Sequence, residues 1–184
     1  MATPWLETLR LKLRPMRLED ASEVQPLFAR WEIVKQLNAR VPWPFPDDGV
    51  LAFYRDAALP AIERGDEWHW MLCLKDDPTE RIVGSICLVR DKKDNRGFWI
   101  AEEWQGLGLM TEATAAVTRF WFEELKQSIL CVKKAKDNAA SRAISVREGM
   151  RCLGETEDDY VCGRLPTEIW ELTAEEWRRR NCLN

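Results

Sequence analysis

The sequence predicts an α+β domain, with a central mixed, mostly antiparallel twisted sheet of about seven strands flanked by helices. Three observations predict it. Stretches of period-two alternation and stretches of helical periodicity succeed one another along the whole chain, the pattern of strands and helices packed in layers. A strand, a glycine-rich turn, a helix and a further strand form one βαβ unit in the middle. The flanking strands fall into hairpins, so the sheet is mixed and not doubly wound. The chain has 184 residues with no internal repeat or low-complexity tract, which fits one domain over residues 1–184.

The elements follow in order. Residues 9–15, Leu-Arg-Leu-Lys-Leu-Arg-Pro, alternate strictly and make a half-buried strand. A helix over 18–28 carries Glu19 and Asp20 in its first turn, where the helix dipole favours them. Residues 41–46, Val-Pro-Trp-Pro-Phe-Pro, hold three prolines that fix φ and remove donors, so they form a stiff aromatic loop. Asp47 or Asp48 caps a helix that stops at Gly65. Apolar runs at 67–75 and 81–90 read as an antiparallel hairpin. After a turn over 91–96 come a strand at 97–101, an amphipathic helix at 109–126 and a strand at 128–134. A helix over 138–148 ends at Gly149. Strands at 150–156 and 168–172 and a short helix over 173–180, capped by Thr173, complete the chain.

Composition narrows the function. There are 27 basic against 31 acidic side chains, a net charge of -4. That balance argues against a protein that coats nucleic acid, which carries a basic excess. The N-terminus lacks a basic region followed by an apolar one, and no apolar run reaches membrane-spanning length. A cytoplasmic protein without a membrane partner is expected. Of six cysteines, Cys73, Cys87 and Cys131 lie in apolar strand-like runs, and Cys152, Cys162 and Cys182 lie elsewhere. None forms a CxxC pair, so no metal site is expected. A nucleophilic cysteine would need His69, the single histidine. Ten tryptophans imply aromatic packing, with two or three expected in a ligand pocket.

The chemistry is centred on Gln105-Gly106-Leu107-Gly108-Leu109-Met110, between a predicted strand and a predicted helix. Glycines let the backbone turn sharply and come close to a ligand. The helix behind them offers unpaired N–H groups at its positive end, a cradle for a phosphate or pyrophosphate. No Lys-Ser or Lys-Thr follows, so this is not a P-loop, and Thr111 breaks G-x-G-x-x-G. A tight turn without a ligand is the alternative.

The wider run Trp104-Gln105-Gly106-Leu107-Gly108-Leu109-Met110-Thr111-Glu112-Ala113 resembles the central motif of the GNAT superfamily of N-acetyltransferases, and its RimJ/RimL-like branch in particular. Gln105 and Gly108 match the looser form Q/R-x-x-G-x-G/A, and Met110 departs from it. Asn138-Ala139-Ala140-Ser141, ending in Glu148-Gly149-Met150, resembles that branch's asparagine-serine helix. The Pro-Trp-Pro-Phe-Pro loop and the terminal Leu-Thr-Ala-Glu-Glu-Trp are similar too, so the likeness covers nearly the whole chain. It implies an acyl-CoA N-acyltransferase fold with acetyl-CoA as co-substrate. The pyrophosphate would rest on the N–H groups of Gln105, Gly106, Leu107, Gly108, Leu109 and Met110, with Thr111 beside them. Strands 97–101, with Trp99, Ile100 and Ala101, and 128–134 would hold the pantetheine arm. Asn138 and Ser141 would sit beside the distal arm and the thioester sulfur.

The acceptor would be a primary amine, either a protein N-terminus such as that of a ribosomal protein or a small molecule. The acyl carbonyl needs a donor as it becomes an oxyanion, and the resemblance implies that the N–H of Ile100 or Ala101 would supply it. Many superfamily members use a tyrosine as general acid where this chain has Ser145. Ser141 is the candidate instead, with Tyr160 as a second donor. Glu157 is the first choice of base among Glu155, Glu157, Asp158 and Asp159. Glu102, Glu103, His69 and a water chain are alternatives. Trp31, Trp43, Phe45 and Tyr54 would wall the acceptor pocket. Two other classes stay open: a CoA-binding sensor or interaction module without catalysis, and a phosphate-ligand binder. Monomer and homodimer are both compatible with the sequence.

Overall fold

A computed structural model of the chain describes residues 1–90 and 93–181. Asp91 and Lys92 of the expected turn, and Cys182, lie outside the described residues.

Among the described residues eight strands form two sheets in which every ladder is antiparallel. The first has the order β1 (Leu6–Glu7), β2 (Leu11–Pro15), β3 (Glu67–Leu74), β4 (Ile82–Val89) and β5 (Arg96–Ile100). The second has β6 (Ile129–Ala135) and β7 (Arg151–Tyr160) on either side of β8 (Gly163–Thr173). The side-by-side relation expected of the βαβ unit lies between β5 and β6, which form no ladder. The Asn95 N–H donates to the Cys131 carbonyl at 2.7 Å, and the Cys131 N–H donates to Asn95 Oδ1 at 2.7 Å. Beyond that clasp the two strands part.

Helices cover both faces of the five-stranded sheet. On one face lie α1 (Ala21–Phe28), α2 (Trp31–Val34), α3 (Gly49–Phe53), a π-helical stretch (Tyr54–Ala58) and α4 (Leu59–Arg64). Met16, Val24, Val50, Tyr54, Met71 and Ile82 form the core there. On the other lies α5 (Leu109–Glu123), with α6 (Ala139–Glu148) packed against α5 and α7 (Ala174–Asn181) against β8. Leu11, Leu13, Trp68, Trp70, Val117, Phe120 and Trp121 are the centre of that larger core. Phe120 meets Trp68 and Trp70 edge-on at 6.2 and 5.5 Å. Fully burying a large apolar side chain contributes about 1.5–3 kcal/mol.

Two local expectations need correction. The helix beginning at Gly49 is not capped by an aspartate side chain: Asp48 makes no capping bond, and Gln25 Oε1 accepts the Val50 N–H at 3.0 Å instead. The last two strands run well past their expected ends, because β7 and β8 pair residue by residue from Arg151–Glu171 to the Tyr160–Gly163 turn. The Gly149 stop and the Thr173 cap form as expected, and Asn138 adds a cap beyond those expected. Asn138 Oδ1 accepts the Ser141 N–H at 3.0 Å, and Gly149 closes α6 with φ of 77°. Thr173 and Glu176 exchange side-chain-to-backbone bonds as a capping box.

Candidate active site

The turn that follows β5 is held open by glycine. Gly106 and Gly108 both have left-handed φ, 73° and 78°, a region that costs other residues about 1–2 kcal/mol. Gly108 caps α5 without a side-chain bond. Among the described residues no hydrogen bond takes the N–H of Gly106, Leu107 or Gly108, and the first turn of α5 adds further free donors. Gln105 differs: its N–H donates to the Glu102 carbonyl at 3.1 Å. Its Nε2 donates to the Ile100 carbonyl at 3.1 Å, which ties the turn to the end of β5. Arg10 braces the other side, donating from Nη1 to the Leu107 carbonyl at 3.0 Å and from Nε to Glu112 at 2.8 Å.

Behind this cradle the edges of β5 and β6 face each other without pairing. The Ala101 N–H donates to the Val83 carbonyl at 2.9 Å. In an antiparallel ladder such bonds alternate. Trp99 and Ala101 therefore point their backbone groups at β4, and Phe98 and Ile100 point theirs into the gap. Of the two N–H groups considered for an oxyanion, only that of Ile100 faces the gap.

A cavity of about 510 Å³ opens here. Gly97, Phe98 and Trp99 of β5 line it, as do Lys133, Lys134 and Ala135 of β6. Neighbours in a strand point to opposite faces, so the cavity passes through the gap from one face to the other. On the α1–α3 face its wall includes Phe28, Phe45, Phe53, Tyr54 and His69. Towards α6 it reaches Asn138 and Ser141. Segment 37–41 covers one side, held by Ala39 N–H to Asp159 O and Val161 N–H to Leu37 O, each 3.0 Å.

The cavity's ionisable groups are specific in their partners. His69 is buried, and its Nε2 lies 2.6 Å from Glu67 Oε2. That contact fixes the orientation of the ring in the cavity wall. Lys133 and Asp158 are joined at 2.6 Å. That hydrogen bond holds the lysine above its ordinary pKa and the carboxyl below its own. Lys134 Nζ sits 4.6 Å from the centre of the Phe98 ring. Burial, with Arg96 second, lowers its pKa to about 8. Among the described residues no group of three or more His, Cys, Asp or Glu side chains is placed to hold a metal.

Residues 10–151 match the family model described as Acetyltransferase (GNAT) domain. The chain belongs to the GNAT family. One GNAT relative, a Bacillus subtilis (strain 168) protein assigned as a ribosomal N-acetyltransferase, YdaF, is 29% identical over 127 residues. That match spans 66% of this chain and 64% of the relative, just under two thirds of the relative's length. The structure resembles the ribosomal-protein-S5-alanine acetyltransferase of Vibrio fischeri, with a TM-score of 0.79 at 14% identity over 95% of this chain and 98% of that one. It also resembles Mycobacterium smegmatis RimJ in complex with a CoA-disulfide, with a TM-score of 0.79 at 17% identity over 96% and 91% of the two chains. At these identities the likeness shows a GNAT fold.

Within that fold the expected site residues divide. Trp99, Asn138, Ser141, Tyr160, Phe45 and Tyr54 line the cavity together. Tyr160 shares a hydrogen bond with Thr167 at 2.9 Å, and burial raises its pKa. Tyr54 spends its hydroxyl on Met71 Sδ at 3.6 Å. Trp31 and Trp43 do not line the cavity; they meet each other at 5.2 Å on the surface. Of the ten tryptophans, Trp99 alone lines it, one where two or three were expected. Glu157 points away from the cavity to pair with Arg164 at 3.1 Å, and its neighbour Asp158 points in. Among the described residues no cysteine is hydrogen-bonded to His69. Cys87 lies opposite it in the ladder, and burial pushes the Cys87 thiol up to about 12. Two site groups escape sequence reasoning, the Glu67 partner of His69 and the buried Lys134. The Glu-x-His spacing on one strand face is the signal that points to the first.

Proposed function

We propose that this GNAT-family chain transfers an acetyl group from acetyl-CoA to a primary amine, by direct attack of the amine on the thioester. One observation carries the reading: the uncapped glycine turn closes the same strand whose unpaired edge opens into a cavity passing through the sheet. A phosphate-bearing end fits the turn and an extended, amide-bearing arm fits the strand edge. Bound there, acetyl-CoA supplies an activated acyl thioester.

The chain's own groups then have defined work. The free N–H groups from Gly106 to Thr111 hold the phosphates. The Phe98 and Ile100 edge aligns the arm, and the Ile100 N–H points to where an oxyanion forms. An incoming ammonium must lose a proton before it can attack. His69, fixed by Glu67, accepts it and releases it to water. The Ser141 hydroxyl, which makes no hydrogen bond among the described residues, orients the distal arm. Phe45, Phe53 and Tyr54 exclude water around the amine. A ribosomal protein N-terminus is our first acceptor class, with the relatives' names in support, and small-molecule amines are second. A cytoplasmic site of action accords with that choice. A sensor without catalysis would lack a base, and the His69–Glu67 pair supplies one.

Thiol release from acetyl-CoA, measured over a panel of N-terminal peptides and free amines, tests the proposal. Turnover on at least one acceptor is expected; CoA binding with no turnover on any would overturn it. His69→Ala is expected to lower kcat by about 100-fold or more with little change in acetyl-CoA affinity. Glu67→Gln, which keeps the shape and removes the orienting charge, should give a smaller loss in the same rate assay.

Ser141→Ala separates a packing role from a chemical one. A loss confined to KM for acetyl-CoA fits a hydroxyl that orients the arm, and a loss of kcat at unchanged KM would make it a proton donor.

A further inference from the structure

The most unusual group in the molecule is Lys134. It is 6% exposed and projects into the cavity. Among the described residues it has no hydrogen bond and no ion pair, only the face of Phe98 across the gap. Two buried carboxylates lie on the same side of the sheet, and neither serves it. Glu168, directly across the ladder, is held by Arg142 through two bonds of 2.7 Å and by Trp170 Nε1 at 3.0 Å. Glu148 is held by Arg96 through bonds of 2.8 and 2.6 Å. Each arginine takes up one of these carboxylates; Asp94, just before β5, is a third acidic group within electrostatic reach of Lys134 but makes no ion pair with it. A buried ammonium with no anion in direct contact is costly unless one arrives.

We propose that Lys134 is a catalytic residue that stabilises and then protonates the departing thiolate of coenzyme A. The inference rests on acetyl transfer as the reaction, and gives work to a group that the steps above leave idle. The route from the glycine cradle along the edge of β5 leads past Phe98, so a thioester carried on that arm reaches the space between Phe98 and Ser141. Lys134 reaches the same space from β6.

The amine nitrogen, already relieved of one proton by His69, attacks the acyl carbon, and the C–N bond forms. The C–S bond breaks and its electron pair goes to sulfur. The Lys134 ammonium gives its proton to that sulfur, leaving CoA as the thiol. The amide nitrogen's surplus proton passes to neutral Lys134 and restores the ammonium. The net products are amide, thiol and the single proton released through His69. Lowering of the Lys134 pKa to about 8 by burial and by Arg96 suits such a relay, since the ammonium gives up its proton readily and regains it near neutral pH. The charged groups facing Lys134 are Arg96 on β5, Asp94 just before it, Glu148 on α6 and Glu168 on β8.

The test reads the thiol without any acceptor. CoA is bound to the full chain, and its thiolate absorbance in the ultraviolet is followed against pH, with desulfo-CoA as the blank. In wild type the bound thiol should ionise about one to two pH units below free CoA, as beside a close cation. Lys134→Met, of similar length and without charge, should abolish that shift and lower kcat by about 100-fold at nearly unchanged acetyl-CoA KM. Lys134→Arg should keep most of the shift, because it keeps the charge, and lose most of the rate, because it cannot release the proton. CoA bound with the same thiol titration in wild type and Lys134→Met overturns the role of Lys134 alone. No CoA binding to wild type overturns the acetyl-transfer reading and this inference together.

Discussion

Glu148→Ala should lower the stability of the chain by about 3–5 kcal/mol, because it leaves the Arg96 guanidinium charged, buried and unanswered. Arg96 has a side chain with 0% exposure. Nη1 and Nη2 both reach Glu148, and Nη1 also reaches Thr118 at 2.7 Å. Among the described residues Nε has no hydrogen-bond partner, and Glu148 is the carboxylate the guanidinium pairs with. This triad pins the start of β5 to α5 and α6, on the closed side of the gap. For a domain of this length the loss corresponds to a fall in Tm of roughly 6–20 °C, measurable by calorimetry. The double variant Arg96→Met, Glu148→Leu removes both charges and should recover most of the loss. A double variant as unstable as Glu148→Ala would show that packing, not charge, was responsible.

The largest effect on ligand binding is expected at Gly108. Its left-handed φ of 78° makes any side chain strained, and a Cβ there would stand 3.6 Å from Arg10 Nη2. Gly108→Trp therefore costs about 1–2 kcal/mol of fold stability and also fills the space that the free N–H groups of the turn look into. Each charge-assisted hydrogen bond lost to a phosphate is worth about 1.5–3 kcal/mol. Acetyl-CoA affinity, measured by titration calorimetry, should fall by about 100-fold or more. Gly106→Ala is the control, since nothing lies within 4 Å of its would-be Cβ; it carries the backbone strain with little obstruction and should cost less affinity. Unchanged affinity in folded Gly108→Trp would remove the turn from the binding site.

The parts of this molecule legible in the sequence are those set by near neighbours along the chain. Alternation marks β2, the Gly149 stop and the Thr173 cap mark their helices, and Gly106 and Gly108 mark the turn before α5. What stays hidden depends on contacts between distant segments. The acidic run Glu155-Thr156-Glu157-Asp158-Asp159 has the composition of a solvated face, yet it forms a ladder with β8 because its backbone pairs there residue by residue. Within that run a single step of strand parity decides the site: Glu157 faces Arg164 and Asp158 faces the cavity. His69 becomes a candidate base only once strand geometry puts Glu67 beside it. Lys134 looks like one more charge in an alternating strand, and its isolation is the work of Arg96 and Arg142, 38 and 8 residues away in sequence.

The passage between β5 and β6 has a kinetic consequence. In the proposed reaction the donor lies along one side of the sheet and the amine arrives through the wall of Phe45, Phe53 and Tyr54 on the other, so neither blocks the entrance of its partner. Both must be present together for transfer, with no acyl-enzyme between two half-reactions. Initial-rate plots against one substrate at fixed levels of the other should intersect and not run parallel. Free CoA should compete with acetyl-CoA and not with the amine.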